Sequence, residues 1–249
     1  MKILGIIPAR YASTRFPGKP LAQLGDKTVI EHVYRRVAEV LSDAVVATDD
    51  QRIYDAVVAF GGQVVMTSVA HTSGTDRCYE ALQRFGTDFD VVVNIQGDEP
   101  FIAIEQINSV CQCFEDPLVD IATLVMPFSS DSTYEILSNP NTPKVVLNKA
   151  GYAQYFSRSV IPHLRGVAPS QWAKQHTFYK HIGLYAFRTH VLAEITKLPP
   201  SELEQSESLE QLRWLESGYR IQVAMTDQQT IGIDTPEDLA EANRLLEVK

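Results

Sequence analysis

Three cations, Arg10, Arg15 and Lys19, stand within ten residues of one another in IIPARYASTRFPGKPL, directly after the first apolar run of the chain. Arginine grips phosphate oxygens through a two-pronged fork, and lysine acts on them as a point charge. Pro8, Pro17, Pro20 and Gly18 restrict the loop and turn Lys19 back towards the two arginines. A phosphate cradle and an ordinary solvated basic loop are equally compatible with this spacing. Two aspartates carry the complementary chemistry. Asp98 sits in QGDEP just past an apolar run, and Asp234 ends TIGID just before a helix signal, 136 positions later. Carboxylates with phosphate oxygens suit Mg²⁺, a hard cation that keeps several waters. Taken singly, Asp98 reads as a turn residue before Pro100, and Asp234 as the residue before a helix cap.

Positioning these groups is the task of the surrounding elements. KILGIIPA reads as a buried strand. Ile30, Val33, Val37 and Leu41 follow at helical spacing. AVVAT is a second strand, and a helix runs through Ile53, Val57 and Phe60 to Gly61 and Gly62. QVVMT, the helix TDRCYEALQRF and the strand DVVVNIQ continue the alternation. Strand–helix alternation with short connections predicts a doubly wound, mostly parallel α/β sheet. Ligands of such sheets bind beyond the strands' carboxyl ends, which is where the basic loop, Asp98 and Asp234 all fall. A helix from Ile104 to Phe114 and the strand DIATLVMPF come next. From Lys144 the text turns β-rich, with KVVLN and GYAQYFS joined by the turn NKAG, then KHIGLYAF. SLEQLRWLES is a helix ended by Gly218, and IQVAM and TIGID are late strands. The last helix opens on Thr235 as cap, Pro236 at its first position and Asp238 three residues after the cap. No linker is visible, so the expectation is one domain over 1–249 with a β-rich insert at roughly 140–190.

The 249 residues are 45% hydrophobic and 21% charged, as a globular chain with a real core requires. A net charge of −9 argues against general affinity for nucleic acid or anionic membranes. A bound polyanion therefore needs a local cluster that outweighs the diffuse field. Unit charges 4 Å apart are worth about 4 kcal/mol at an effective dielectric of 20, whereas distant surface charges are screened within about 10 Å. No apolar run approaches the ~20 residues of a membrane helix. MKILGIIPAR has too short an apolar part for a signal peptide, so a cytoplasmic location is expected. Cys78, Cys111 and Cys113 are too few and uneven for a disulfide framework and read as reduced core thiols. The basic loop matches neither G-x-G-x-x-G nor G-x-x-x-x-G-K-[ST].

PARYASTRFPGKPL resembles the signature of the 3-deoxy-manno-octulosonate (Kdo) cytidylyltransferases, and so do VATDD, HTSGTDR, VVNIQGDEP, YAQYFSRSVIP, YKHIGLYAFR, SLEQLRWLESGYRI and GIDTPEDL, in family order. CMP-sialic acid synthetases share the first loop; the later blocks are more specific. The resemblance implies a nucleotide-diphospho-sugar transferase-like fold. It also implies transfer of CMP from CTP to the anomeric hydroxyl of Kdo, with release of pyrophosphate, for lipopolysaccharide synthesis. It places Arg10, Ser13, Arg15 and Lys19 around the triphosphate, with Arg10 and Lys19 stabilising the departing pyrophosphate, and assigns Asp98 and Asp234 to Mg²⁺. Gly74 and Arg77 become base-recognition residues, with Gln96 facing either substrate; the plainer reading makes this segment a helix start capped by Ser73 or Thr75, with Arg77 solvated.

For the sugar acid the resemblance carries Arg158, Arg165, His181, Tyr185, Glu210 and Gln211. Without it, Glu210 and Gln211 are the surface of an amphipathic helix. His181 and Tyr185, four apart in a strand, then simply share a packed face. The family also implies a homodimer, for which the β-rich insert is the expected contact. Rival readings are a cytidylyltransferase for sialic acid or amino-Kdo, a non-catalytic CTP-binding regulator, and a dehydrogenase, the last weakened by the missing glycine fingerprint.

Overall fold

The computed structural model describes residues 1–13, 15–229 and 232–247. They divide into two compact units: Met1–Asn108, Ala186–Thr196 and Gln229–Lys249 make the first, Ser109–Tyr185 and Lys197–Gln228 the second. The first unit opens with β1 (Ile3–Ala9), β2 (Gln23–Leu24), β3 (Lys27–Thr28), α1 (Val29–Ala38), β4 (Asp43–Thr48), α2 (Gln51–Ala59), β5 (Val64–Met66), α3 (Gly74–Phe85) and β6 (Val91–Asn94). The chain leaves it in α4 (Ile104–Gln112). Then come β7 (Ile121–Pro127), α5 (Tyr134–Ser138), β8 (Lys144–Leu147), β9 (Ala153–Ser157), α6 (Trp172–Gln175) and β10 (Tyr179–Arg188). The last residues of β10 and α7 (Thr189–Ile195) belong to the first unit, α8 (Glu202–Glu207), α9 (Gln211–Glu216) and β11 (Ile221–Met225) to the second, and α10 (Pro236–Glu247) to the first.

In the first unit β6, β1, β4 and β5 lie side by side, all parallel. β1 and β4 read as continuous apolar runs because both faces are covered, and Leu4, Ile6, Ile7, Val45 and Val46 are fully buried. α1 turns Val29, Ile30, Val33 and Val37 inward at helical spacing. The chain winds outward from β1 through β4 to β5, then returns to place β6 on the other flank of β1. That reversal opens a crevice at the carboxyl ends of β1 and β6. The expected α/β class with a mostly parallel sheet is what forms.

The second unit holds the β-rich text. β7 and β11 are parallel, and β8 pairs antiparallel with β9 and with the start of β10. The NKAG turn joins β8 to β9 as expected: Asn148 N donates to Tyr152 O at 2.9 Å, and Gly151 takes φ +80.

Two boundaries differ from the sequence reading. SLEQLRWLES begins its helix only at Gln211, because Ser208 takes a left-handed φ of 51 that ends α8 first; Glu210 stands at the N-cap position, where its carboxylate accepts from Arg213 Nη2 at 2.9 Å rather than capping the helix. In TIGID, Thr230 and Ile231 lie outside the described residues, and Gly232–Asp234 form no strand. Ile233 is instead an apolar anchor, fully buried with Leu24, Val29 and Ala242.

Candidate active site

A pocket in the first unit is lined by the ends of β1 and β6 and the start of α3, including Arg10, Ser13, Lys19, Gly74, Gln96 and Asp98. The turn that carries Asp98 closes through Glu99 N to Gln96 O at 3.3 Å. Gly97 lies so close to β1 that a Cβ there would stand 2.6 Å from the Pro8 carbonyl oxygen. Only glycine lets this turn sit against β1.

Asp234 reaches the same place by three devices. Ile233 is anchored in the core, and its N–H donates to the Asp98 carbonyl at 2.9 Å. The cap of α10 then holds the next residues. Asp238 Oδ2 accepts from Asp234 N at 2.9 Å and Thr235 N at 2.8 Å, while Thr235 Oγ1 accepts from Asp238 N. As a result both carboxylates touch one ammonium: Lys19 Nζ donates to Asp98 Oδ2 at 2.6 Å and to Asp234 Oδ1 at 3.2 Å. Arg15 Nη1 adds a bond to Asp234 Oδ2 at 2.9 Å. The Lys19 side chain is 12% exposed and that of Arg15 is 66%, so Lys19 makes the less screened contact. Burial, with the Asp98 charge adding to it, pushes Glu99 up to about 7.

The basic loop is braced from within. Gly18 N donates to Tyr11 O at 2.9 Å, and Gly18 has φ +74 with its Cα against the Tyr11 ring. Arg52 lies over that ring with its guanidinium carbon 3.3 Å from the centroid, and Asp50 holds Arg52 by bonds of 2.9 and 2.7 Å. Ser13 Oγ accepts from Phe16 N at 3.3 Å.

Arg77 differs from its solvated reading. Its side chain is 1% exposed, and it donates to Thr67 Oγ1 and Asp49 Oδ2, both at 2.6 Å. Asp49 also faces Arg10 Nε at 3.8 Å. Ser73, not Thr75, caps α3 by accepting from Asp76 N at 3.0 Å. Sequence reasoning passed over Asp49 and Tyr11. Asp49 follows β4 as Asp98 follows β6, so its position at a strand's carboxyl end was a usable signal; Tyr11 had none.

The second unit gathers most of the sugar-acid set. His181 and Tyr185 share a face of β10 with ring centroids 5.3 Å apart; Phe156 packs on His181 and Trp214 on Tyr185. Gln211, one helical turn from Trp214, is 4% exposed, and its Nε2 is without a hydrogen-bond partner among the described residues. Burial lowers His181 to about 4, so it is neutral at pH 7. Thr123 Oγ1 lies 2.8 Å from the Leu184 carbonyl oxygen and 3.2 Å from that of Ile182, both within reach of its hydroxyl as donor. His181 Nε2 lies 3.1 Å from the same hydroxyl oxygen. Burial raises Tyr185 well above its ordinary value, with the Glu210 charge adding to it, so its phenol stays protonated. Arg158 is a clamp: its Nε, Nη1 and Nη2 donate to the carbonyls of Glu207, Pro140 and Ser208. The Glu207 carboxylate, which sequence reasoning missed, accepts from Ser157 Oγ and Arg158 N. Arg165 is exposed on a loop.

Residues 4–221 match the family model for cytidylyltransferases. The chain is 66% identical over 246 residues to the 3-deoxy-manno-octulosonate cytidylyltransferase of Bacteroides thetaiotaomicron, covering 99% of this chain and 98% of that one. It belongs to the 3-deoxy-manno-octulosonate cytidylyltransferase family. The relative of that name in Parabacteroides distasonis is 64% identical over 97% of both chains. A solved CMP:2-keto-3-deoxy-manno-octonic acid synthetase complexed with CTP has a TM-score of 0.91 at 40% identity, covering 100% of this chain and 99% of that one. A 4-diphosphocytidyl-2C-methyl-D-erythritol synthase from Anaerococcus prevotii, at 15% identity and a TM-score of 0.61, shares the fold alone. Among the described residues no helix is long and apolar enough to cross a membrane.

Proposed function

We propose that this chain transfers CMP from CTP to the anomeric hydroxyl of Kdo and releases pyrophosphate, as a cytoplasmic step of lipopolysaccharide synthesis. The observation that carries the reading is the convergence of Asp98 and Asp234 on Lys19 at a pocket rimmed by Arg10 and Ser13. In the reaction a bond forms between the anomeric oxygen and the α-phosphorus. The bond from that phosphorus to the oxygen bridging to the β-phosphate breaks, and the anomeric proton is released.

Arg10, Ser13, Arg15 and Lys19 receive the triphosphate. Arg10 and Lys19 neutralise charge that grows on pyrophosphate as it leaves, an electrostatic gain that needs fixed cations. Gly74 offers the nucleotide an unobstructed approach. A Cβ there would meet only Asn94 Nδ2 at 3.6 Å and Pro8 Cγ at 4.0 Å, so packing within the protein does not demand glycine. Gln96 faces the same pocket. Arg77 serves the nucleotide through Asp49 and the pocket wall.

The donor set suits Mg²⁺: Asp98 and Asp234 would hold it with two hard carboxylate oxygens. When bound, Mg²⁺ supplies Lewis-acid polarisation of phosphate oxygens and lowers the pKa of the hydroxyl that attacks. In the second unit the His181 imidazole, the Tyr185 phenol, Gln211 and Glu210 offer acceptors and donors for sugar hydroxyls. Such committed polar groups reject acids lacking the matching hydroxyl. Arg165 and the remaining N–H groups of Arg158 supply the charge for the sugar carboxylate. The chain works as a homodimer through its β-rich segment at roughly 140–190.

Pyrophosphate release from CTP, followed with Kdo, amino-Kdo and sialic acid in turn, tests the reading. Release with Kdo that requires Mg²⁺ is expected. Preference for another acid, or CTP binding without release, would replace it. Sedimentation at micromolar concentration tests the dimer.

A further inference from the structure

The ammonium of Lys19 stands where two carboxylates converge, with contacts of 2.6 and 3.2 Å. These are carboxylates that the proposed function assigns to Mg²⁺, so the inference rests on that reading. From this juxtaposition we infer that Lys19 and the divalent cation compete for Asp98 and Asp234, and that polyphosphate resolves the competition by drawing Lys19 away.

First, Lys19 Nζ already engages Asp98 Oδ2 and Asp234 Oδ1, so a divalent cation held by the same two carboxylates would stand beside its charge, and two cations repel strongly at that range. Second, lysine ends a flexible four-carbon stem and can move its charge without moving its backbone. Its backbone is held: Gly18, at φ +74, starts the turn Lys19–Leu21, and Ala22 N closes it on Lys19 O at 3.0 Å. Third, Lys19 lines the same pocket as Arg10 and Ser13, so a phosphate held there gives the ammonium an anionic partner other than the two aspartates. Metal without nucleotide must displace a partner that is 12% exposed, whereas metal arriving with nucleotide finds that partner already drawn away. Nucleotide and metal therefore bind with positive coupling, and Lys19 sets its size. Arg15 also touches Asp234, but at 66% exposure it is the weaker competitor.

Mn²⁺ titration of the full chain without nucleotide, followed by the electron paramagnetic resonance signal of free Mn²⁺, tests this. Lys19→Met is expected to bind Mn²⁺ about tenfold more tightly than the unaltered protein. Equal or weaker binding in a folded Lys19→Met overturns the inference. A second measurement needs no variant. Mg²⁺ alone should raise the acylation of Lys19 by a succinimidyl ester, read by peptide mass spectrometry, over the range in which Mn²⁺ binds. Unchanged acylation across that range also overturns it. Mg²⁺-dependent pyrophosphate release, assayed separately, reports on the functional reading alone; it can persist while the competition fails.

Discussion

Gly97 and Gly74 line one pocket, yet packing demands glycine only at the first. At Gly97 an added Cβ meets the Pro8 carbonyl at 2.6 Å, and main chain cannot step aside. Gly97→Ala is expected to cost about 1–3 kcal/mol of stability, as overpacking does, and to lower CTP turnover with it; a thermal melt checks the first part. At Gly74 the protein leaves room, and alanine suits a helix start better than glycine does. Gly74→Ala is therefore expected to keep the melting temperature while raising KM for CTP about tenfold, a change of about 1.4 kcal/mol. Steady-state kinetics beside a melt separate the two. The sequence showed both glycines, but the distinction lies in what approaches each Cα, and no spacing rule contains that. The cations show the same limit. Arg10, Arg15 and Lys19 were legible as a cluster, whereas their division between Asp49 on one side and Asp98 with Asp234 on the other was not.

Elements convert these residues into fixed geometry. The cap of α10 was readable from Thr235, Pro236 and Asp238, and it does more than start a helix, because Asp238 also binds Asp234 N. Thr235→Ala is expected to remove about 1 kcal/mol and to weaken metal-dependent turnover more than stability alone explains, which a comparison of Mg²⁺ dependence at matched fractions folded would show. β10 offers a pH test. His181 is lowered to about 4 in the folded chain by burial, against an ordinary value near 6.5. Between those values the unfolded chain holds the extra proton, so stability from this site is complete above about pH 6.5 and falls as pH drops towards 4. Melting temperatures from pH 7 to 4.5 should fall less steeply in His181→Gln than in the unaltered chain, and equal slopes would contradict the assignment. The shared face of His181 and Tyr185 followed from the two-residue period of a strand. The helix boundary that puts Glu210 just before α9 did not, because it depends on a left-handed Ser208.

At the scale of the whole molecule, the expectation of core thiols holds for Cys78, whereas Cys111 and Cys113 are only half-buried. The three thiols are free, Cys78 is buried, and burial, with neighbouring Cys113 adding to it, raises Cys111 to about 12. Reductant is expected to leave activity and melting temperature unchanged, and iodoacetamide at pH 8 to label Cys111 slowly, as mass spectrometry would show. A net charge of −9 did not prevent a local site with four basic side chains, Arg10, Arg15, Lys19 and Arg77, because charges at contact distance outweigh distant screened ones. The amino-acid order alone determined the alternating α/β architecture, the basic loop and both aspartates, since hydrophobic period, turn chemistry and residue type are local properties. Only the tertiary structure decided which charges meet. Ile233 must be buried, and its N–H must find the Asp98 carbonyl, before residues 136 positions apart can share one ammonium. Such pairing is set by packing across the fold, which no local pattern encodes.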